Sequence, residues 1–310
     1  MSNSSVDPAT LYVVATPIGN LADITARACA VLAAVDGILA EDTRVSATLL
    51  RHHGIATPVS ALHQHNEARR GARIIERLAA GESFALISDA GTPGISDPGA
   101  HLVREVRAAG HTIVPIPGPS ALTAALSVAG IEGPVLFAGF LPARAAARQA
   151  SIKTFESARL AWVVYESPHR LAALVDDLVA SLEPTRAVII ARELTKRFES
   201  VVRLPIAQLP AWLAADSNHL RGEFVVVIEA CAQTAADEIG TTAFPVLDVL
   251  LEELSLAQAV RLAQKITGAR RNDLYAHALQ RQHAAGESTG ESTGDTSDTA
   301  DNADADGTDR

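Results

Sequence analysis

The sequence predicts an α/β protein of two lobes followed by a small helical module. Short apolar, β-branched runs alternate with alanine-rich stretches from about residue 11 to residue 230, which is typical of βα units around a largely parallel sheet. Glycine and proline interrupt both periodicities at Ile131–Pro134. We therefore expect α/β subdomains at 11–133 and 134–231, with a ligand cleft between them. A helical module at 241–284 follows.

Each expected element rests on a local pattern. The strands are short runs rich in Val, Ile and Leu: Leu11–Ala15, Gly37–Glu41, Phe84–Ser88, Thr112–Ile116, Val135–Ala138, Leu160–Tyr165, Arg186–Ala191, Val201–Leu204 and Phe224–Glu229. The helices are longer stretches between them: Ile24–Val35, Pro98–Ala109, Ser120–Val128, Arg144–Ser157, Pro168–Leu182 and Ile206–Ala214.

Beyond the lobes, a polar connection at Ala232–Ala243 precedes the helical module. Ser255, three residues before Gln258, indicates a capping box, and Gly268 indicates a left-handed helix end. A second helix is expected at about Arg271–Gln282, so the pair resembles a helix-turn-helix. The ends, 1–10 and 285–310, are expected to be disordered, because the tail has no apolar residue larger than alanine.

Composition indicates a globular protein without a structural metal or disulfides. Of the 310 residues 48% are hydrophobic and only 4% are aromatic, so the core is built from aliphatic side chains. Cys29 and Cys231 lie far apart and form no C-x-x-C pair, which argues against both a zinc site and a disulfide framework. No basic leader and no run of 18 apolar residues occurs. The prediction is a soluble cytoplasmic protein with no membrane partner.

Charge is distributed unevenly along the chain. The net charge is −10, but residues 286–310 alone carry eight acids and one base. By contrast, Ser255–His283 holds five bases and the single acid Asp273. Two interpretations are open: the bases bind RNA phosphates, or they form the solvated face of a packed helical pair.

Three loops dense in Gly, Pro and Asp follow predicted strands, at 15–20, 88–99 and 115–121. Parallel α/β sheets bind ligands in loops at the carboxyl ends of their strands, so a shared cleft is expected here. The Asp89 carboxylate can accept hydrogen bonds from ribose hydroxyls or from an ammonium group of a ligand, or it can cap a turn. There is neither a P-loop nor a strand followed by G-x-G-x-x-G, which disfavours a nucleotide-phosphate site.

Several uncommon segments occur in a specific order along residues 11–283: 15–23, 40–44, 87–99, 115–121, 165–170, 191–196 and 222–224. In these segments the chain resembles the tetrapyrrole methylase superfamily, and within it the branch that methylates ribosomal RNA. The resemblance implies an S-adenosylmethionine (SAM) cofactor folded between the two halves, and a homodimer. It also implies that the substrate is a cytidine ribose 2′-oxygen in the decoding centre of 16S rRNA, with the small ribosomal subunit as partner.

The resemblance also implies which residues line the SAM pocket. They come from five segments of the two lobes: Pro17, Ile18, Gly19, Asp89, Ala90, Gly91, Thr92, Pro93, Pro119, Ser120, Ala121, Thr123, Tyr165, Glu166, Gly222, Glu223 and Phe224.

Methyl transfer from a sulfonium needs in-line placement of the acceptor oxygen, helped by a base or a stabilising cation. The catalytic candidates are Glu41, Asp42, Arg44, Glu166 and Lys196. Each has a structural alternative. Asp42 or Thr43 can cap a helix while Arg44 is solvated, Glu166 can belong to a capped helix start, and Lys196 can form ion pairs.

The RNA-binding candidates are cationic or imidazole side chains: Arg44, His63, His65, Arg170, Arg192, Lys196, Arg261, Lys265, Arg270 and Arg271. His63 and His65 are expected in a substrate loop, since no nearby cysteine supports a metal site. Two other functions remain open: methylation of a corrin or porphyrin precursor, and non-catalytic binding of RNA or a nucleotide. The basic C-terminal helices argue against the first of these, because an enzyme that acts on a small molecule does not need a basic RNA-binding module.

Overall fold

The computed structural model describes residues 6–63, 67–231 and 235–287, and it divides the chain into two compact units, Met1–Cys231 and Ala232–Arg310. Unit 1 contains two five-stranded sheets. In the part of the chain that is described, no helix is both long and apolar enough to cross a membrane.

The first sheet is wholly parallel. Its strands are β1 (Thr10–Val14), β2 (Gly37–Ala40), β3 (Val59–Ala61), β4 (Phe84–Ile87) and β5 (Thr112–Ile116), in the order β3-β2-β4-β1-β5. Helices cover both faces, so alternate strand residues enter two separate cores. Tyr12 and Val14 pack towards α1 (Ala26–Ala34) and α2 (Thr43–His52). Leu11 packs towards α3 (Glu67–Ala79) and α4 (Ala100–Ala108).

The second sheet is mixed, contrary to the expectation of a largely parallel arrangement. It comprises β6 (Val135–Phe140), β7 (Ala161–Glu166), β8 (Ala187–Arg192), β9 (Ser200–Pro205) and β10 (Phe224–Ile228). The order is β6-β7-β10-β8-β9, and only β6 and β7 run parallel. The last strand in sequence therefore lies at the centre of this sheet. The alternation of strands and helices in the sequence does not predict that β10 is antiparallel to its neighbours, because a buried strand has the same apolar sequence pattern in either orientation.

Helices cover both faces of the second sheet as well. One face carries α6 (Ala145–Ser157), α7 (Pro168–Ser181) and α8 (Leu209–Ala215). The other carries α5 (Ala121–Ala129), whose Ala125 packs with Val163 and Ile189 of the strands. Thus α5 precedes the break at 131–134 in sequence yet packs with the second lobe. The predicted helix 206–214 divides into a 3₁₀ turn, Ile206–Gln208, and α8.

Unit 2 is a bundle of three helices: α9 (Ala235–Glu253), α10 (Leu256–Thr267) and α11 (Arg271–Glu287). Leu247, Val260 and Leu274, one from each helix, are buried in its core. Sequence reasoning placed the later part of α9 in the helical module but assigned its start to a linker, because that start is small and polar. Gly268 ends α10 at φ 72°, as predicted. Ser255 is the N-cap of α10, but its hydroxyl donates to Gln258 Oε1 (3.0 Å) and caps no backbone N–H.

The structure also adds β3 and α3, which the sequence patterns did not indicate, and it contains α2, the helix that the alternative role of Asp42 implied. It also corrects both ends. Residues 6–10, expected to be disordered, are tied to the first lobe, where the Asp7 N–H donates to Tyr12 Oη (2.8 Å). At the other end α11 extends to Glu287, into the stretch 285–310 that was expected to be disordered. The remainder of that stretch and residues 1–5 lie outside the described residues.

Candidate active site

Loops from neighbouring strands meet at the carboxyl edge of the first sheet. Because β2, β4, β1 and β5 are adjacent in that order, the loops that follow them leave the same edge. Thr16 and Gly91 exchange backbone hydrogen bonds of 2.9 and 3.0 Å, which joins the loops after β1 and β4. Thr92 Oγ1 donates to the carbonyl of Pro119 (3.2 Å), which adds the loop after β5. The three glycine- and proline-rich loops therefore form one structure.

A cavity of about 540 Å³ opens beside these loops and is lined from both lobes of unit 1. Twelve residues that the sequence singled out line it: Ile18, Glu41, Asp89, Ala90, Gly91, Thr92, Ser120, Ala121, Tyr165, Glu166, Glu223 and Phe224. Six expected pocket residues lie outside the lining: Pro17, Gly19, Pro93, Pro119, Thr123 and Gly222.

Two of these six are glycines, and the space left by their missing side chains is occupied by neighbouring side chains of the protein and not by the cavity. A Cβ on Gly19 would lie 2.5 Å from Lys196 Cγ, and a Cβ on Gly222, where φ is +98°, would lie 2.5 Å from Glu193 Cγ. Both glycines therefore allow neighbouring side chains to pack closely, next to the cavity wall.

The structure adds lining residues that sequence reasoning did not select: Ile95, Ser96, Asp97, Phe140, Ser167, Pro168, Ala191, Leu194 and Val225. Asp97 belongs to the same glycine- and proline-rich loop as Asp89, so the loop was identified but this residue within it was not. Phe140 follows an irregularity in β6 between Phe137 and Gly139, which no sequence pattern predicts.

The lining is strongly acidic. Among the residues that the structure describes, five carboxylate side chains line the cavity and no Lys, Arg or His does: Glu41, Asp89, Asp97, Glu166 and Glu223. Glu166 and Glu223 also face Arg170 and Lys196, but the lining as a whole carries more negative than positive charge, which repels anions and attracts cations. The cavity therefore favours a positively charged ligand and disfavours a phosphate.

Three of the acids interact at the edge of the first sheet. The Asp42 N–H donates to Asp89 Oδ1 (3.0 Å), which fixes Asp89 beside the end of β2. Burial, followed by the charges of Asp89 and Asp42, raises the pKa of Glu41, while His63 opposes the rise. Burial, reinforced by the Glu41 and Asp89 carboxylates, raises the pKa of Asp97 to about 6. Carboxylates that share a site disfavour each other's charge.

The second lobe supplies the opposite wall. Tyr165 Oη accepts a hydrogen bond from the Leu122 N–H at the start of α5 (3.1 Å), and burial raises its pKa. Glu166 is buried, and its Oε1 accepts from the Ser167 N–H (2.8 Å) and faces Arg170 Nε (3.3 Å). Its Oε2 has no hydrogen-bond partner within the described residues.

Asp42 and Arg44 have the structural roles that the sequence left open. Asp42 is the N-cap of α2, where its Oδ1 accepts from the Arg44 N–H (2.8 Å). Its carboxylate also pairs with the Arg44 guanidinium (2.7 Å), whose side chain is 89% exposed. The hydrogen bonds from Arg44 lower the pKa of Asp42 to about 2. Neither residue lines the cavity, so Glu41 is the acid of this segment that does.

Lys196, Arg192 and Arg170 are engaged within the protein. Lys196 Nζ donates to Glu193 Oε1 (2.9 Å) and Glu223 Oε2 (2.8 Å) and lies outside the cavity lining. Arg192 Nε donates to the Arg221 carbonyl (2.7 Å), and Arg170 donates to the Leu141 carbonyl (2.5 Å). These bonds hold loops of the second lobe, so all three side chains have internal partners in this structure.

The two predicted loop histidines differ in what the structure describes. His63 lies close enough to Glu41, a cavity residue, for its imidazole to oppose the rise in the pKa of that acid. His65 lies outside the described residues. No group of three His, Cys, Asp or Glu side chains in the described ranges is arranged to hold a metal ion.

Unit 2 presents unpaired positive charge. Arg261, Lys265, Arg270 and Arg271 are exposed, and none forms an ion pair with another described residue. Arg281 differs, because it pairs with Asp248 (2.8 Å). Tyr275 is exposed on α11. The predicted basic surface is therefore available to a phosphate-bearing partner.

Comparison with known proteins gives matches over most of the chain. Residues 10–210 match the family model of tetrapyrrole (corrin/porphyrin) methylases, and residues 237–282 match a model described as the RsmI C-terminal HTH domain. A Pseudomonas aeruginosa protein named ribosomal RNA small subunit methyltransferase I is 50% identical over 88% of this chain and 98% of its own. The Escherichia coli O157:H7 protein of the same name is 45% identical over 88% and 95%.

Solved structures share the fold at low identity. A cobalt precorrin-4 methyltransferase superposes with a TM-score of 0.53 at 15% identity, over 71% of this chain and 95% of its own. Diphthine synthase gives a TM-score of 0.54 at 15% identity, over 71% and 89%.

Proposed function

Because the chain belongs to the tetrapyrrole methylase family, and within it to the family of ribosomal RNA small subunit methyltransferase I, we propose that it methylates 16S rRNA with SAM as methyl donor. The acceptor is the ribose 2′-oxygen of a cytidine in the decoding centre. The observation that carries the proposal is the 50% identity over 98% of a relative with that name.

The cavity fits such a donor chemically. SAM has a sulfonium and an ammonium against one carboxylate, a net positive charge that suits a lining of five acids, of which only Glu166 and Glu223 pair with Arg170 and Lys196. Ile18, Leu194 and Val225 add apolar surface for an adenine ring. Asp89 and Glu41 are suited to bind hydroxyl or ammonium donors. When bound, SAM supplies an electrophilic methyl group on a sulfonium.

The residues of this chain then have three tasks. The joined loops hold the donor in a fixed position, because Thr16, Gly91 and Thr92 are tied together by hydrogen bonds. The apolar lining excludes water. A carboxylate at the wall accepts the proton of the acceptor hydroxyl, which is a poor nucleophile until that proton leaves.

RNA phosphates do not belong in the acidic cavity, so the phosphate contacts must lie elsewhere. The exposed, unpaired bases of α10 and α11 are suited to them. The single exposed tyrosine of α11, Tyr275, offers little stacking surface, which favours recognition of shape and backbone. The matches to known proteins also extend into unit 2, where residues 237–282 match the C-terminal HTH domain model. This favours RNA over a corrin or porphyrin as the methyl acceptor.

We further propose that the active species is a homodimer, that it acts in the cytoplasm and that its substrate is the assembled small subunit. Light scattering of the purified protein tests the first of these. Comparing free 16S rRNA with small subunits as methyl acceptors tests the last.

The decisive experiment is mass mapping of 16S rRNA from cells with and without the gene. Loss of one ribose methyl group on a decoding-centre cytidine, restored by the purified protein with SAM, is the expected result. An unchanged methylation map would overturn the rRNA assignment. Failure to bind SAM in calorimetry at millimolar ligand would instead favour the non-catalytic interpretation.

A further inference from the structure

We propose that Phe140 is the residue on which the base of the target nucleotide stacks while the ribose of that nucleotide is methylated. The inference rests on the proposed methyltransferase function and adds to it a contact with the nucleobase. It concerns a side chain that sequence reasoning did not select.

The first argument is the exposure of the Phe140 ring. Phe140 lines the cavity and is 53% exposed. The other aromatic side chains of the lining are used by the protein itself. Phe224 is buried, and Tyr165 is half-buried with its hydroxyl bound to the Leu122 N–H (3.1 Å). Within the described lining, Phe140 is therefore the one aromatic ring that is largely open to a ligand.

The second argument is a distortion of β6 that determines where the ring points. In a regular strand Phe140 would share a face with Ala138, which packs towards α6 and α7. Here the register with β7 shifts between Phe137 and Gly139, and Gly139 has a φ of 62°. Phe140 therefore shares the face of Phe137, and the centroids of the two rings lie 5.7 and 4.9 Å from that of Tyr165. Bulges of this kind redirect side chains beside active sites.

The third argument is that the backbone around the ring is held on both sides. Directly after Phe140, the carbonyl of Leu141 accepts a hydrogen bond from Arg170 (2.5 Å). Directly before it, Gly139 lies so close to the loop after β4 that a Cβ on the glycine would be 3.0 Å from Ser96 Oγ. A ring that is fixed before binding loses little conformational freedom when a base stacks on it.

The chemistry of the reaction brings a base to this part of the cavity. The 2′-oxygen and the base are attached to neighbouring carbons of the ribose, so a ribose that reacts in the cavity keeps its base close to the lining. Because the lining as a whole is acidic, it repels the phosphates, and neutral contacts must hold the nucleotide. Unpaired RNA bases typically stack on aromatic side chains. Phe140 provides that surface at the exposed rim, beside Ile95, which is 39% exposed.

The test measures methyl transfer from radiolabelled SAM to small ribosomal subunits isolated from cells without the gene. Phe140→Ala should lower kcat/KM for the subunits by roughly 5- to 150-fold, the effect of losing one base–aromatic stack. The Kd for SAM, measured by calorimetry without RNA, should not change. A loss of SAM affinity as large as the loss of kcat/KM would place the ring in the wall of the donor site and overturn the inference.

Replacements of different shape separate stacking from simple apolar contact. Phe140→Trp and Phe140→Tyr keep an aromatic face and should retain most of the rate. Phe140→Leu keeps apolar bulk without a ring and should lose nearly as much as Phe140→Ala. Phe198→Ala is the matched control, because it also removes an exposed phenylalanine of unit 1 but lies outside the cavity lining. It should behave as the wild type. Full activity of Phe140→Leu would contradict a stacking role.

Light scattering tests a different use of the ring. The strand β6 lies at an edge of its sheet, where an exposed side chain can pack against a second copy of the chain. We expect Phe140→Ala to keep the oligomeric state of the wild type, and dissociation of the variant would refute the proposal.

The proposed function and the inference fail in distinguishable ways. If the wild type transfers no methyl group to small subunits, the proposed function is wrong and the inference falls with it. If the wild type and Phe140→Ala are equally active, only the role of Phe140 is wrong.

Discussion

The side chain of Lys196 lies directly against Gly19, so that a Cβ on the glycine would be 2.5 Å from Lys196 Cγ and 3.1 Å from its Cε. The glycine belongs to the loop after β1 in the first lobe and the lysine to the loop after β8 in the second. Lys196 in turn binds Glu223 (2.8 Å), which lines the cavity. This contact connects the two lobes next to the cavity.

The variant Gly19→Ala should weaken SAM binding. The added methyl group displaces Lys196 and loosens its bonds to Glu193 and Glu223, at a cost of about 1 kcal/mol, or roughly fivefold in Kd. Calorimetry on the purified variant measures this. In a Lys196→Ala background the same substitution should have a smaller effect, because the closest overlap, with Lys196 Cγ, is gone and only the 3.0 Å contact with Thr195 Oγ1 remains. Equal losses in both backgrounds would show that Gly19 acts in another way.

The variant Gly222→Ala should destabilise the second lobe by about 2–4 kcal/mol. It combines a positive φ of 98° with a Cβ contact of 2.5 Å to Glu193, so strain and overlap add. Urea unfolding measures the change. Gly54→Ala is the matched control, because its φ is +65° but its Cβ would meet open space. We expect about 1 kcal/mol there, and similar losses at both sites would contradict a steric role for Glu193.

The double variant Arg270→Gln/Arg271→Gln should bind small ribosomal subunits more weakly without altering SAM affinity. Both side chains are exposed and unpaired among the described residues, so their loss removes phosphate contacts. The slope of log affinity against log salt should become shallower by about 1–2. Arg281→Gln should have a smaller effect, because Asp248 already neutralises that charge. A uniform effect of all three substitutions would argue against a defined RNA surface.

The ligand-free protein should gain stability as the pH falls from 7 towards 4, through a contribution from Asp97. Its pKa is about 6 in the folded state against 3.8 for an ordinary aspartate, so the folded state binds more protons in that window. Stability therefore decreases with rising pH there. After allowance for solvent screening the contribution is about 1–2 kcal/mol. Urea unfolding of the wild type and Asp97→Asn should show the difference at pH 7 and its disappearance near pH 4.

Sequence reasoning located the fold and the loops of the site better than the roles of single residues. Apolar runs marked β1, β2, β4 and β5, and their adjacent ends explain why three loops share one cavity. The helix α3 was missed because four arginines separate its apolar residues in sequence, although Ile74 and Leu78 are buried in the core of the first lobe. The strand β3 was missed because its three residues are too few to show an apolar strand pattern.

The candidate site shows the same limit. Asp42 and Asp97 are both acids that follow strands, and the sequence does not distinguish a helix cap from a free carboxylate. Only the structure shows that Asp42 caps α2 while Gly99 takes that position before α4 and leaves Asp97 to the cavity. Likewise, the glycines at 19 and 222 give no sign in sequence that they accommodate Lys196 and Glu193.

The central place of β10 in the second sheet has a consequence for synthesis on the ribosome. The first sheet is complete in sequence at Ile116, but the second lacks its middle strand until Ile228 has emerged. Until then β7 and β8 have open edges, which are prone to pair with other chains. The cavity, which Glu223, Phe224 and Val225 help to line, is thus completed last, and a protein cut short before Phe224 is expected to aggregate rather than form a smaller folded protein.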